Sequence, residues 1–172
     1  MGLQNTQLSV AASGLLVGSP AGAGATPQMP LDYRVALGLA GGTGLGQADR
    51  LWTATRTLNA SANEDLDLNG TALTDGLGVA VALARVKGLI VAAAASNTNN
   101  VIVGGAASNG FVSWVSSATD KVTVRPGGVL ALFCTDATGY AVTGATADLL
   151  RIANSGAGTS VTYDIVVIGS SA

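Results

Sequence analysis

Lys121-Val122-Thr123-Val124-Arg125 alternates polar and apolar residues and then stops at Pro126-Gly127-Gly128. A two-residue period puts every other side chain on one face, as in a strand with one side buried. Related runs recur along the chain at intervals of roughly ten residues, separated by Gly, Asn, Ser, Thr and Asp clusters. Leu51 to Leu58 is rich in β-branched and aromatic residues, and Leu66 and Leu68 alternate with Asp65 and Asp67. Val79 to Val86 and Leu89 to Val91 read as two strands separated by Gly88, although the alanines there could also be written as a helix. Val101 to Val103, Phe111 to Val115, Val129 to Cys134, Leu149 to Asn154 and Val161 to Ile168 complete the series. Many short strands with turn residues between them predict an all-β sandwich or barrel, not βαβ units.

The first thirty residues differ. No charged residue lies between Met1 and Leu31, and Gly18, Gly22, Gly24, Pro20, Pro27 and Pro30 are spread through the segment. Glycine and proline at that density argue against a long helix or a central strand. Disordered tails are usually polar and charged, whereas this one carries Leu3, Leu8, Val10, Leu15, Leu16 and Val17. The expected organisation is an extended uncharged arm over residues 1–31, with those six side chains lying on a partner chain, followed by a β-sandwich body over 32–172.

Composition sharpens this. Charged residues make up 10% of the 172-residue chain, against about 25% in an average globular protein. A solitary domain covers itself with charge, so much of this surface is expected to face other protein. The net charge is −2 with no basic cluster, which argues against a nucleic-acid partner held through phosphates. No run approaches the ~20 apolar residues of a membrane-spanning helix.

Candidate chemistry is sparse. The chain has no histidine and one cysteine, Cys134, so histidine-based catalysis, a disulfide and a Cys-based zinc site all fall away. Cys134 follows Ala131, Leu132 and Phe133 and reads as a small buried hydrophobe. Gly41-Gly42-Thr43-Gly44-Leu45-Gly46 lacks the Lys-Ser/Thr of a phosphate loop and reads as a flexible connector. Asp65, Asp67 and Asn69 match the start of a calcium loop, but Gly76 stands where the bidentate Glu would be. The preferred reading is a strand with its carboxylates outward, ending in the Asn69-Gly70 turn. Arg85, Lys87, Asp148 and Arg151 are read mainly as solvated surface. No base is placed to activate a Ser or Thr, so neither an enzyme nor a cofactor is expected.

Residues 50–170 resemble small structural proteins of tailed bacteriophages. The likeness is carried by Ala84-Arg85-Val86-Lys87-Gly88-Leu89, Val101-Ile102-Val103-Gly104-Gly105-Ala106, Val122-Thr123-Val124-Arg125-Pro126-Gly127-Gly128, Asp148 to Asn154 and Val161 to Gly169. The chain is similar to the capsid decoration (cement) group. That resemblance implies a jelly-roll-like antiparallel β-sandwich, a homotrimer, the major capsid protein as partner, and a place on the outside of the phage head. Two other readings stay open: a tail, neck or fibre-base protein, and a glycan or host-surface binding module, which would need exposed aromatic platforms.

Overall fold

The computed structural model describes residues 3–19, 22 and 24–172 (Pro20 lies outside them) and contains no helix among these residues. The chain is all-β. Its strands are β1 (Thr6–Val17), β2 (Gln28–Gly41), β3 (Gln47–Ala48), β4 (Arg50–Leu58), β5 (Asn63–Asp67) and β6 (Arg85–Ala93). There follow β7 (Val101–Gly104), β8 (Lys121–Val124), β9 (Val129–Phe133), β10 (Tyr140–Ala141), β11 (Leu149–Asn154) and β12 (Val161–Ser170).

Strands β4 to β12 make a sandwich. One sheet runs β4-β12-β6, with β9 and β10 one after the other along the far edge of β6. The other runs β5-β11-β7-β8, and every pairing within the two sheets is antiparallel. Alternation supplies the core. Leu89, Val91, Tyr163, Ile165 and Val167 point inward from the first sheet; Leu66, Leu150, Ile152, Val101 and Val103 point inward from the second. Each is at most 3% exposed, and fully burying a side chain of this size contributes ~1.5–3 kcal/mol.

A polar tie crosses between the sheets. The Tyr163 hydroxyl on β12 donates to Glu64 Oε1 on β5 at 2.7 Å, and Arg56 Nε on β4 donates to Glu64 Oε2 at 2.7 Å. Burial, then the bond to the Glu64 carboxylate, push the Tyr163 phenol well above its ordinary value.

Two expected strands are corrected. Residues 79–84 are irregular, with an isolated bridge between Thr74 and Ala80, and a single strand, β6, runs straight through Gly88. The pairing of β6 with β12 shifts between Ile168 and Gly169, leaving Lys87 as an extra residue. This bulge lets Val86 and Leu89 both face the core and turns Lys87 and Gly88 away from it. Residues 111–115 form turns, not a strand: Phe111 enters the core, and Trp114 Nε1 donates to the Phe111 carbonyl at 2.9 Å. The Phe111 and Trp114 rings fill space beside the sheets without joining a ladder.

Strands β1 and β2 stand apart from the sandwich. They pair antiparallel over twelve consecutive positions, from Thr6–Leu39 to Val17–Gln28. Residues 6–17 of the segment expected as a single extended arm are therefore one limb of a hairpin, residues 28–31 begin the other, and the boundary after Leu31 falls inside β2. Pro30 is accommodated because a two-stranded ribbon consists only of edge strands.

Candidate functional site

The hairpin is anchored at its foot. Leu8 and Leu39 are buried in a second apolar cluster with Ala48 and Ile168, against which Leu3, Leu37, Phe133 and Val166 also pack. This cluster lies on the outer face of the β4-β12-β6 sheet. Gly88 makes room for it: a Cβ there would sit 3.1 Å from Leu8 Cδ1 and 3.5 Å from Ile168 Cβ. The hairpin docks where β6 has no side chain.

Beyond that foot nothing covers it. Residues 9–17 and 28–36 are all exposed, on both faces of the ribbon. Nine residues at ~3.3 Å each project ~30 Å from the docked end.

The register sorts the side chains of this projecting part. Directly opposed residues share a face. One face carries Val10–Val35, Ala12–Tyr33, Gly14–Leu31 and Leu16–Met29, continuing outward from Leu8–Leu37. The other carries Ser9–Ala36, Ala11–Arg34, Ser13–Asp32, Leu15–Pro30 and Val17–Gln28. The first face is wholly apolar apart from the Tyr33 hydroxyl; the second holds both charges of the projecting part. Leu16, at 66% exposure, and Leu8, at 5%, belong to the same stripe at opposite ends of one strand.

The six apolar residues expected to meet a partner thus divide. Leu8 is buried within its own chain, a correction to its expected place on a partner, and Leu3 packs beside it half-buried. Val10 and Leu16 lie exposed on the apolar face, and Leu15 and Val17 lie exposed near the tip of the other face. Sequence reasoning missed the β2 half of the stripe: Met29, Leu31, Tyr33 and Val35 are all exposed. Its signal was present as the alternation Met29-Pro30-Leu31-Asp32-Tyr33-Arg34-Val35.

A second uncovered apolar feature lies near the foot. A cleft of about 630 Å³ is lined by Leu3, Leu51, Leu77 and Val79 together with Asp49, Arg50 and Asp75. Leu77 and Val79 are exposed there. Asp75 accepts the backbone N–H groups of Leu77 and Val79 at 2.9 Å each, which fixes the loop forming that wall.

The calcium-loop residues disperse to separate partners. Asp65 receives a bidentate bond from Arg151, with both N···O distances 2.7 Å. Asp67 Oδ1 accepts the N–H groups of Asn69 and Gly70 at 3.1 and 2.7 Å, closing the turn. Asn69 donates to the Leu83 carbonyl at 2.8 Å. Among the described residues no group of three or more acidic, Cys or His side chains could hold a metal.

Three further expectations change. Lys87, read as solvated, is fully buried, and its ammonium donates to the Asp136 carbonyl. Cys134, read as buried, is half-buried; its thiol lies 3.9 Å from the Val86 carbonyl, and desolvation raises its pKa. A raised thiol pKa lowers the thiolate fraction and so its reactivity. Asp148 is buried, with Oδ2 accepting the Ala145 N–H at 2.5 Å.

The projecting hairpin thus presents a large uncovered apolar surface. No protein-family model, curated protein or solved structure matches the chain.

Proposed function

We propose that this chain is a structural virion protein: a decoration (cement) protein that sits on the outside of a tailed-phage head and ties neighbouring major capsid protein subunits together. The observation that carries the reading is the projecting hairpin. An amphipathic limb ~30 Å long on a rigid body suits bridging from one subunit to the next. Its apolar face carries no charge and can be covered without stripping water from ions, a cost of several kcal/mol per ion. Repetition over a closed shell then multiplies each modest contact through avidity.

The body supports the same reading more weakly. Its sheet orders, β4-β12-β6-β9 and β5-β11-β7-β8, with the chain passing repeatedly from one sheet to the other, suit an eight-stranded jelly roll, an architecture common to capsid and lectin domains. That architecture alone does not choose between the two. The aromatic residues favour the structural role. Trp52, Phe111 and Tyr163 are buried, Trp114, Phe133 and Tyr140 are half-buried, and Tyr33 on the hairpin is the one exposed ring among the described residues. Half-buried or buried rings on the body are less suited to stacking on a sugar than exposed ones.

The test is binding to purified phage heads stripped of decoration. The full chain is expected to co-sediment with the shells at high copy number. A variant with residues 9–36 replaced by a short Gly-Ser turn is expected to stay in the supernatant with its sandwich intact. Absence of binding by the full chain, or recovery of a few copies with tails only, contradicts the cement role; the second outcome supports the tail or neck alternative.

A further inference from the structure

We propose that the apolar face of the hairpin is covered by the same face of a second copy of this chain. The inference rests on the reading of the protein as an assembly subunit and names the surface and partner for self-association.

Three observations select a like copy over an unrelated chain. The first is shape. In the middle of the stripe each rung pairs a small residue on β1 with a large one on β2: Ala12 with Tyr33, and Gly14 with Leu31. The face is therefore a ridge along β2 beside a hollow along β1, and a Cβ added at Gly14 would meet nothing within 4 Å. A ridge beside a hollow of matching length is self-complementary. The Tyr33–Leu31 ridge of one copy fits the Ala12–Gly14 hollow of the next, whether two copies close about a two-fold axis or three about a three-fold.

The second is charge. Asp32 and Arg34, the only charged residues of the projecting part, both lie on the opposite face. Two apolar faces can meet without burying or opposing any charge.

The third is area. Val10, Leu16, Met29, Leu31, Tyr33 and Val35 each expose between 39% and 66% of their surface. At roughly 100 Å² apiece this gives ~600 Å² per copy and ~1,200 Å² for a pair, the lower edge of the range for specific stable interfaces. A two-stranded ribbon is marginal in water without a layer packed on it, and a second ribbon is such a layer.

The experiment is the native mass of the full chain at micromolar concentration, by sedimentation velocity. The wild type is expected at two or three times 16.8 kDa. Leu16→Glu/Leu31→Asp, which charges the apolar face at exposed positions, is expected to sediment at 16.8 kDa with an unchanged circular dichroism spectrum. Ser9→Glu/Ser13→Glu, on the opposite face, is expected to keep the wild-type mass. In a Cys134→Ser background, an equal mixture of Ala12→Cys and Leu31→Cys chains is expected to cross-link between copies on mild oxidation, and an equal mixture of Ser13→Cys and Asp32→Cys chains to do so at least tenfold more slowly. A monomeric wild type, or an oligomer that survives the apolar-face variant, overturns the proposal. Shell binding is scored separately. A monomer that decorates heads overturns this interface and leaves the cement role standing; an oligomer that ignores heads does the reverse.

Discussion

The sandwich and the hairpin are built from the same residue types and end in opposite states. Both alternate apolar and polar positions, both are antiparallel, and both are poor in charge. In the sandwich, each apolar face meets another sheet, and Leu150, Ile152 and Ile165 are fully buried. In the hairpin, the stripe starts at buried Leu8 and runs outward to Leu16 with no second layer over it. The difference lies in partnering, not pattern. An apolar face that its own chain completes builds stability, whereas one left open by an ordered ribbon is an interaction surface.

The sharpest way to break this comparison is to cut equal side chains from the two regions. Leu150→Ala is expected to cost ~2–5 kcal/mol, the usual range for a buried leucine, measured by urea denaturation. Leu16→Ala, at a position exposed within the single chain, is expected to change monomer stability by no more than ~0.5 kcal/mol. Similar losses at both sites would mean that the hairpin is covered within its own chain.

The tie between the sheets ranks next. Tyr163→Phe leaves Glu64 with one partner fewer and is expected to cost ~1–3 kcal/mol. It also predicts a pH signature. The folded state raises the Tyr163 pKa above the ordinary 10.0. Its contribution is therefore fully present below pH ~10 and is lost as the pH rises from there toward the folded value. Denaturation from pH 8 to 11.5 should show stability falling above ~10 in the wild type, and a shallower fall in Tyr163→Phe. The hairpin has no equivalent buried group, so oligomer mass is expected to be indifferent over pH 6–9.

Gly88→Leu probes the joint between the two regions. Leu8 already lies where the first atom of a new side chain would go, so the larger residue is expected to displace the hairpin foot at a cost of ~1–3 kcal/mol. Hydrogen exchange should show faster exchange in β1 and β2 and little change in β7, β8 and β11. Arg151→Ala is expected to cost little, ~0.2–1 kcal/mol, because its bond to Asp65 is a partly exposed surface pair.

How much of this was legible depended on where the restraint lay. The sandwich strands β4, β5, β7, β8, β9, β11 and β12 could be read directly, because each is an alternating, β-branched or apolar run bounded by turn residues. β6 was misread because local sequence favours a break at Gly88, while the cause of that glycine is the approach of Leu8 from more than seventy residues away. The Phe111–Val115 run has strand-like composition but packs as turns, a tertiary choice that local pattern does not encode. The hairpin was half legible. Absence of charge marked Met1 to Leu31 as unusual, but attention to glycine and proline hid the alternation from Met29 to Leu39 that defines β2. The dispersal of Asp65, Asp67 and Asn69 depended on Arg151 and Leu83, partners distant in sequence.

The central claim is that the sandwich is complete within one chain while the hairpin is completed by another protein. Amide hydrogen exchange of the full chain, followed across a dilution series, tests it most directly. The account predicts protection of β11 and β12 at every concentration. It predicts protection of residues 9–17 and 28–36 that rises with concentration or on addition of shells. Equal, concentration-independent protection of the hairpin and the sandwich in a monomer would contradict it.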